Sequence, residues 1–207
     1  MYLSKLTLDP RHPLARRDLA NAYDMHRSLS RAFVADENAR PSGFLWRLER
    51  SADCQPASVV LVQSVQPGNW TVLDSLGGYA FAIHGNKSVA LEGLIQSGAR
   101  YRFRLLANPT VTRAGKRYGL LREEDQLQWL NRQGARHGFE VRGCIRGASE
   151  RLDVRQGSKG HRMTFDTALF EGILSVQSAE TFRDAMLRGL GHGKALGLGL
   201  LSVARVG

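Results

Sequence analysis

Residues 100–107, RYRFRLLA, put Tyr101, Phe103 and Leu105 on one side of an extended chain and Arg100, Arg102 and Arg104 on the other. That two-residue period is the mark of a strand with one face in a core. On its C-terminal side, residues 123–133, EEDQLQWLNRQ, open on acids that suit the positive end of a helix and carry Leu127 and Leu130 on one face. Strands are expected at 139–146 and 162–175, a helix from Ser178 to Arg188 holding Phe182 and Met186, and a last strand at 198–204. The order β-α-β-β-α-β is the ferredoxin-like arrangement, which is also that of RNA-recognition modules whose sheets stack bases.

The first half repeats the beginning of this order. Residues 2–8, YLSKLTL, read as a strand with Tyr2, Leu6 and Leu8 on one face, ended by Pro10 and Pro13. A helix is expected from Asn21, a good N-cap, with Asp24 as the acidic partner of a weakened capping box. Ala22, Met25, Leu29 and Phe33 then recur every three or four residues, the stripe that packs on a sheet. Residues 44–50, FLWRLER, alternate Phe44, Trp46 and Leu48 with polar neighbours, and 58–65, SVVLVQSV, read as a more fully buried strand. Beyond Trp70 the pattern fades through Gly77, Gly78, Gly85 and Asn86, and no second helix can be placed. The expected fold is α+β: two tandem ferredoxin-like (βαββαβ, RRM-like) domains, at 1–90 and 98–207.

The 207 residues are 43% hydrophobic and 23% charged, which excludes wholesale disorder. No run reaches the roughly 18 apolar residues of a membrane span, and the N-terminus lacks a secretory apolar core. Cys54 and Cys144 stand in no metal-binding or disulfide spacing, so a reducing cytoplasm is the expected compartment. The formal net charge is +10, and of 29 cations only Lys5, Lys87, Lys116, Lys159 and Lys194 are lysines. An excess of this size points to a polyanionic partner, and arginine favours two-pronged contact with phosphate.

Two segments could carry chemistry. On the expected helix, Tyr23 and His26 are i and i+3, Tyr23 and Arg27 are i and i+4, and Arg31 lies one turn on. A histidine flanked by a phenol and guanidiniums suits proton transfer at a phosphodiester, the cations steadying an anionic transition state. The segment 189-GLGHGKALGLGLL-201 offers Gly191, Gly193 and Lys194 to a phosphate chain. It is no Walker loop, because Ala195 follows the lysine. Further RNA contacts are expected from Arg102, from Lys116 and Arg117 in 113-RAGKR-117, and from Arg155, Lys159 and Arg162 near the tip of a polar hairpin or loop at 151–162. No metal-like cluster of carboxylates and histidines stands out, and no cofactor is expected.

The opening MYLSKLTL, the segment LANAYDMHRSLSRAF, the strand YRFRLLANP followed by GKR, the strand LFEGIL and the ending GLGHGKALGLGLLSVA together resemble the CasE-type CRISPR repeat-RNA endoribonucleases of type I-E systems. The likeness runs from residue 1 to about 204 and weakens over residues 84–98. It implies two ferredoxin-like domains and metal-independent cleavage at the base of a repeat stem-loop, leaving 2′,3′-cyclic phosphate and 5′-hydroxyl ends. It also implies that the enzyme stays on the hairpin among the other Cascade subunits. His26 matches the family's catalytic histidine and Tyr23 its neighbouring tyrosine. Arg31 stands where a family member has lysine, and His192 where members often have proline. The roles of acid and base stay open between Tyr23 and His26. The alternative is a non-catalytic RRM-like RNA-binding subunit with His26 idle.

Overall fold

The computed structural model describes residues 1–34, 43–49, 58–155, 160 and 162–206. The chain begins with β1 (Tyr2–Leu8), α1 (Pro13–Ala20), α2 (Ala22–Ser30), a 3-10 turn (Arg31–Phe33), β2 (Phe44–Glu49), β3 (Ser58–Ser64), α3 (Thr71–Asp74) and β4 (Ala80–Ser88). After α4 (Leu91–Leu94) come β5 (Arg100–Ala107), β6 (Thr110–Arg113), β7 (Lys116–Gly119) and α5 (Glu123–Arg136). Then follow β8 (Phe139–Arg155), β9 (Arg162–Val176), α6 (Ala179–Arg188), a 3-10 turn (Lys194–Leu196) and β10 (Leu201–Arg205). Two four-stranded sheets have the orders β2-β3-β1-β4 and β10-β5-β9-β8. In each, the first strand lies between the third and the fourth and the second is at an edge, so the fold is α+β with two ferredoxin-like sheets. By their contacts the residues divide into two compact units. The first holds Met1–Val89 with Val154–Arg162 and Ala195–Gly197; the second holds Ala90–Asp153, Met163–Lys194 and Leu198–Gly207.

In the first unit, Pro13 does not merely end a strand. It occupies the first turn of α1, where its missing N–H costs nothing, and so starts a helix that the sequence reading left out. Asn21 ends α1 and begins α2: its backbone N–H reaches Arg17 and Asp18, and its side chain accepts from the Tyr23 N–H at 3.3 Å. Because that backbone N–H is already used, Asp24 supports the cap by accepting from Asn21 Nδ2 at 2.8 Å. Met25, Leu29 and Phe33 are buried against Leu6, Leu8, Trp46, Val60 and Val62. Each large apolar side chain so buried is worth about 1.5–3 kcal/mol relative to exposure. Arg47, at a position read as polar and outward, is buried beside its ion-pair partner Glu49. The second crossover of this unit contains the single helical turn α3, and β4 follows it. Gly85 lies within β4 because any Cβ there would run into the Trp70 indole.

In the second unit, Tyr101, Phe103 and Leu105 are buried and Arg102 is exposed, as the alternation requires. The buried face of α5 is Gln126, Trp129, Leu130 and Gly134; Leu127 is only half-buried. β8 extends to Arg155 and β9 begins at Arg162, so residues 151–155 and 162 of the expected 151–162 loop belong to the two strands. β10 starts at Leu201 instead of 198, because Leu198 and Leu200 are buried in the approach to it and Gly199 N–H donates to Leu106 O at 2.8 Å. β6 and β7 form a hairpin whose central residues, Ala114 and Gly115, have φ of 47° and 75°, the twist of a tight two-residue turn.

Candidate functional site

The helix α2 follows from its sequence: a capped start at Asn21, acid in the first turn, and an apolar stripe that seats it on the sheet. Tyr23 and His26 are both half-buried, one turn apart, while Arg27 is exposed and 3.9 Å from Asp24. Arg31 is exposed and lies past the helix end, in the 3-10 turn. The His26 ring stacks on Phe44 of β2, with centroids 5.0 Å apart and planes at 20°. Phe44 stacks in turn on Phe33 at 4.7 Å, and Phe33 meets Trp70 edge-on at 5.5 Å. His26 Nδ1 is buried and has no hydrogen-bond partner among the described residues. Burial pushes the imidazole below its ordinary pKa, so the ring is neutral near pH 7. A neutral imidazole can accept a proton, and with Nδ1 buried it is Nε2 that is left to meet a ligand.

A second arrangement lies within the second unit. A cavity of about 730 Å³ is lined by Arg113 at the end of β6, by Arg132, Arg136 and His137 on and after α5, and by Arg188 closing α6. The glycine-rich turn adds Gly191, His192 and Lys194, and Asp125 is the one carboxylate in the lining among the described residues. The turn depends on backbone that only glycine adopts easily: Gly191 and Gly193 have φ of 75° and 85°. Its ionisable groups feel one another. Lys194 is lowered by burial and by Arg188, His137 by burial, Arg136 and Lys194, and His192 by burial, Arg117 and Lys194. A cavity lined by several cations and a single carboxylate is chemically suited to an anion.

The structure therefore brings Gly191 and Lys194 together with Arg132, Arg136 and Arg188, which the sequence reading missed. Arg132 and Arg136 sit one turn apart in line with Gln128, a signal open to a reader of the polar face of α5. Lys116 and Arg117 are exposed on β7, and Arg155 and Arg162 are exposed at facing strand ends. Lys159 lies outside the described residues. The Arg155 carbonyl accepts from Asn21 Nδ2 at 2.9 Å, within the first unit. No group of three or more His, Cys, Asp or Glu that could hold a metal occurs among the described residues. No helix among them is long and apolar enough to cross a membrane.

Two ferredoxin-like sheets, a half-buried histidine on the first crossover and an arginine-lined cavity at a glycine-rich turn define a tandem RRM-like protein suited to a polyanion. The chain belongs to the family described as CRISPR associated protein, whose model matches residues 1–205. It is similar to the CRISPR-associated endoribonuclease Cse3 of Thermus thermophilus, 39% identical over 216 residues that cover 99% of this chain and 100% of the relative. The Cascade subunit CasE of Escherichia coli is 28% identical over 218 residues, covering 99% of each. Among solved structures, CRISPR endoribonuclease Cse3 bound to a 19 nt RNA superposes with a TM-score of 0.87 at 40% identity, covering 99% of this chain and 100% of that one.

Proposed function

We propose that this chain is an endoribonuclease of the CasE/Cse3 type that cleaves CRISPR precursor RNA at the base of the repeat stem-loop. It then stays on the hairpin within a Cascade-type complex in the cytoplasm, its two domains spanning 1–90 and 98–207. The 2′-hydroxyl attacks the adjacent phosphorus, and the bond to the departing 5′-oxygen breaks, leaving a 2′,3′-cyclic phosphate and a 5′-hydroxyl. His26 moves one of the two protons; Tyr23 moves the other or positions the sugar. Arg27 and Arg31 offset charge on the phosphorane. A reaction so drawn needs no metal. The observation that carries this reading is the half-buried His26, its pKa lowered by burial, one turn from Tyr23 on a capped helix.

The grip on RNA falls to basic side chains and to the cavity. A paired A-form stem hides its base edges in a deep, narrow groove, so phosphates are the accessible feature. Arg102, Lys116, Arg117, Arg155, Lys159 and Arg162 supply point contacts. Gly191, Gly193 and Lys194 let the backbone approach, and Arg132, Arg136 and Arg188 complete the anion receptor. The test is to mix the protein with its repeat hairpin in excess EDTA and map the product ends. Cleavage with cyclic-phosphate ends is expected; dependence on Mg²⁺ or 5′-phosphate products would overturn the mechanism. Hairpin binding without any cleavage would favour the purely RNA-binding reading.

A further inference from the structure

Proton-transferring histidines are usually held by a hydrogen bond at the nitrogen that does not face the substrate, which fixes both ring orientation and tautomer. His26 has no such bond: Nδ1 is buried and unpartnered among the described residues. What touches its ring is another ring. We propose that Phe44 is the positioning residue of the cleavage reaction, its stacked ring doing for His26 what an acceptor at Nδ1 does elsewhere. This rests on the reading that His26 carries a proton in cleavage.

The geometry shows why a ring is needed. His26 and Phe33 are seven residues apart along α2 and the turn after it, and seven residues of helix rise about 10.5 Å. Both project to the same side, and Phe44 stands near-parallel to each, 5.0 Å from the imidazole and 4.7 Å from the Phe33 ring. One aromatic ring therefore fills the gap between two rings separated by two helical turns. Phe33 is itself buried and held edge-on by Trp70, so the far end of the stack is anchored in the core. At the near end the Ser30 hydroxyl donates to the His26 backbone carbonyl at 2.7 Å, a bond that holds the helix backbone and leaves the ring to Phe44. With Phe44 in place the imidazole cannot swing toward β2. The same ring keeps water off it, in keeping with the effect of burial on the imidazole.

The experiment measures single-turnover cleavage and hairpin affinity for Phe44→Leu, Phe44→Tyr, His26→Ala and the double variant Phe44→Leu/His26→Ala. Phe44→Leu should cleave about ten- to a hundredfold more slowly, the scale of a misplaced catalytic group, with affinity within about twofold of the parent. Phe44→Tyr, which keeps the stack, should recover the rate to within about threefold. The double variant should be no slower than His26→Ala alone, because a residue acting through His26 has nothing left to position. In the folded protein, the His26 ring protons of Phe44→Leu should move downfield on loss of the ring current, and those of Phe44→Tyr should not. If Phe44→Leu does not fold, Phe44→Met carries the same expectations. Parental cleavage by Phe44→Leu beside a slow His26→Ala would overturn the positioning role and leave His26 in the chemistry. A double variant slower than His26→Ala would also overturn it, since Phe44 would then act elsewhere. Near-parental cleavage by His26→Ala would remove His26 from the chemistry and the positioning role with it.

Discussion

On the proposed reading the α2 site and the glycine-rich cavity both meet RNA, yet they are built by different rules. Around His26 the protein removes water: the ring is packed on Phe44 and its pKa is lowered by burial. Around Lys194 burial is joined by like charge: Lys194 is lowered by burial and Arg188, His137 by burial, Arg136 and Lys194, and His192 by burial, Arg117 and Lys194. A group that must exchange a proton near neutral pH is best left uncharged and sheltered. A surface that must hold a polyanion gains from repulsion that the ligand then relieves. On that reading chemistry and grip should be separable, each removable without the other.

The hardest test of that separation is His26→Ala. It should slow single-turnover cleavage at least about a hundredfold while hairpin affinity stays within a few-fold. Rapid-quench cleavage beside filter binding measures both, and an equal loss in the two would mean that the sites are not distinct.

The converse variant removes Arg132, Arg136 and Arg188 together, each to Ala. Losing three phosphate contacts should weaken binding about ten- to a hundredfold at physiological salt and flatten the slope of log affinity against log salt by about two to three units. The cleavage rate of the saturated complex should change far less than the affinity. A salt slope equal to the parent's would show that the cavity arginines are only solvated surface.

How much of each region could be read in advance follows from how local its causes are. Asn21 as a cap and the stripe Met25, Leu29 and Phe33 are visible because a helix repeats within a few residues, and Tyr101, Phe103 and Leu105 because a strand alternates. The buried face of α5 was harder, since Trp129 and Gln126 take the core positions while Leu127 is only half-buried. The single turn α3 spans four residues, too few to show a period at all. Pro13 was ambiguous locally, because the same residue that ends a strand also suits the first turn of a helix. Phe44 and the cavity lay furthest from view. The stack joins residues from two elements, and Arg113, Arg132, Arg188 and Lys194 meet only after the chain has folded, so no spacing encodes the stack and only the Arg132/Arg136 pair hints at the cavity.

A smaller effect probes the helix on which the chemistry rests. Asn21→Ala removes the acceptor of the Tyr23 N–H and the donors to Asp24 and to the Arg155 carbonyl. Loss of a cap costs about 1 kcal/mol, so thermal unfolding should move down by about 2–4 °C. Cleavage should fall more than binding, because the frayed first turn carries Tyr23 and leads to His26, whereas the cavity is untouched. An unchanged melting temperature, read by circular dichroism, would show that α2 is held by its apolar stripe alone.

The smallest expected effect comes from the shelter itself. Burial lowers the His26 pKa below its ordinary value of 6.5, so the unfolded chain takes up a proton at this position at a higher pH than the folded chain does. Above the ordinary value both states are neutral here and pH has no influence through this group. As pH falls below it, the unfolded state binds more protons than the native one and is favoured, until the folded ring also titrates; below that point the penalty is constant. The parent should therefore lose stability on acidification through this window, over and above what other groups contribute. His137 and His192 are also lowered, so the parent's curve alone mixes three imidazoles. The difference between parent and His26→Ala isolates one. Denaturant unfolding at several pH values should show the parent losing stability relative to the variant as pH drops from about 7 toward 5, with no relative change above about 7.5. If the difference stayed flat across that range, His26 would titrate as an exposed imidazole, and the contrast between a sheltered site for chemistry and a charged one for grip would fail at its smallest and most direct test.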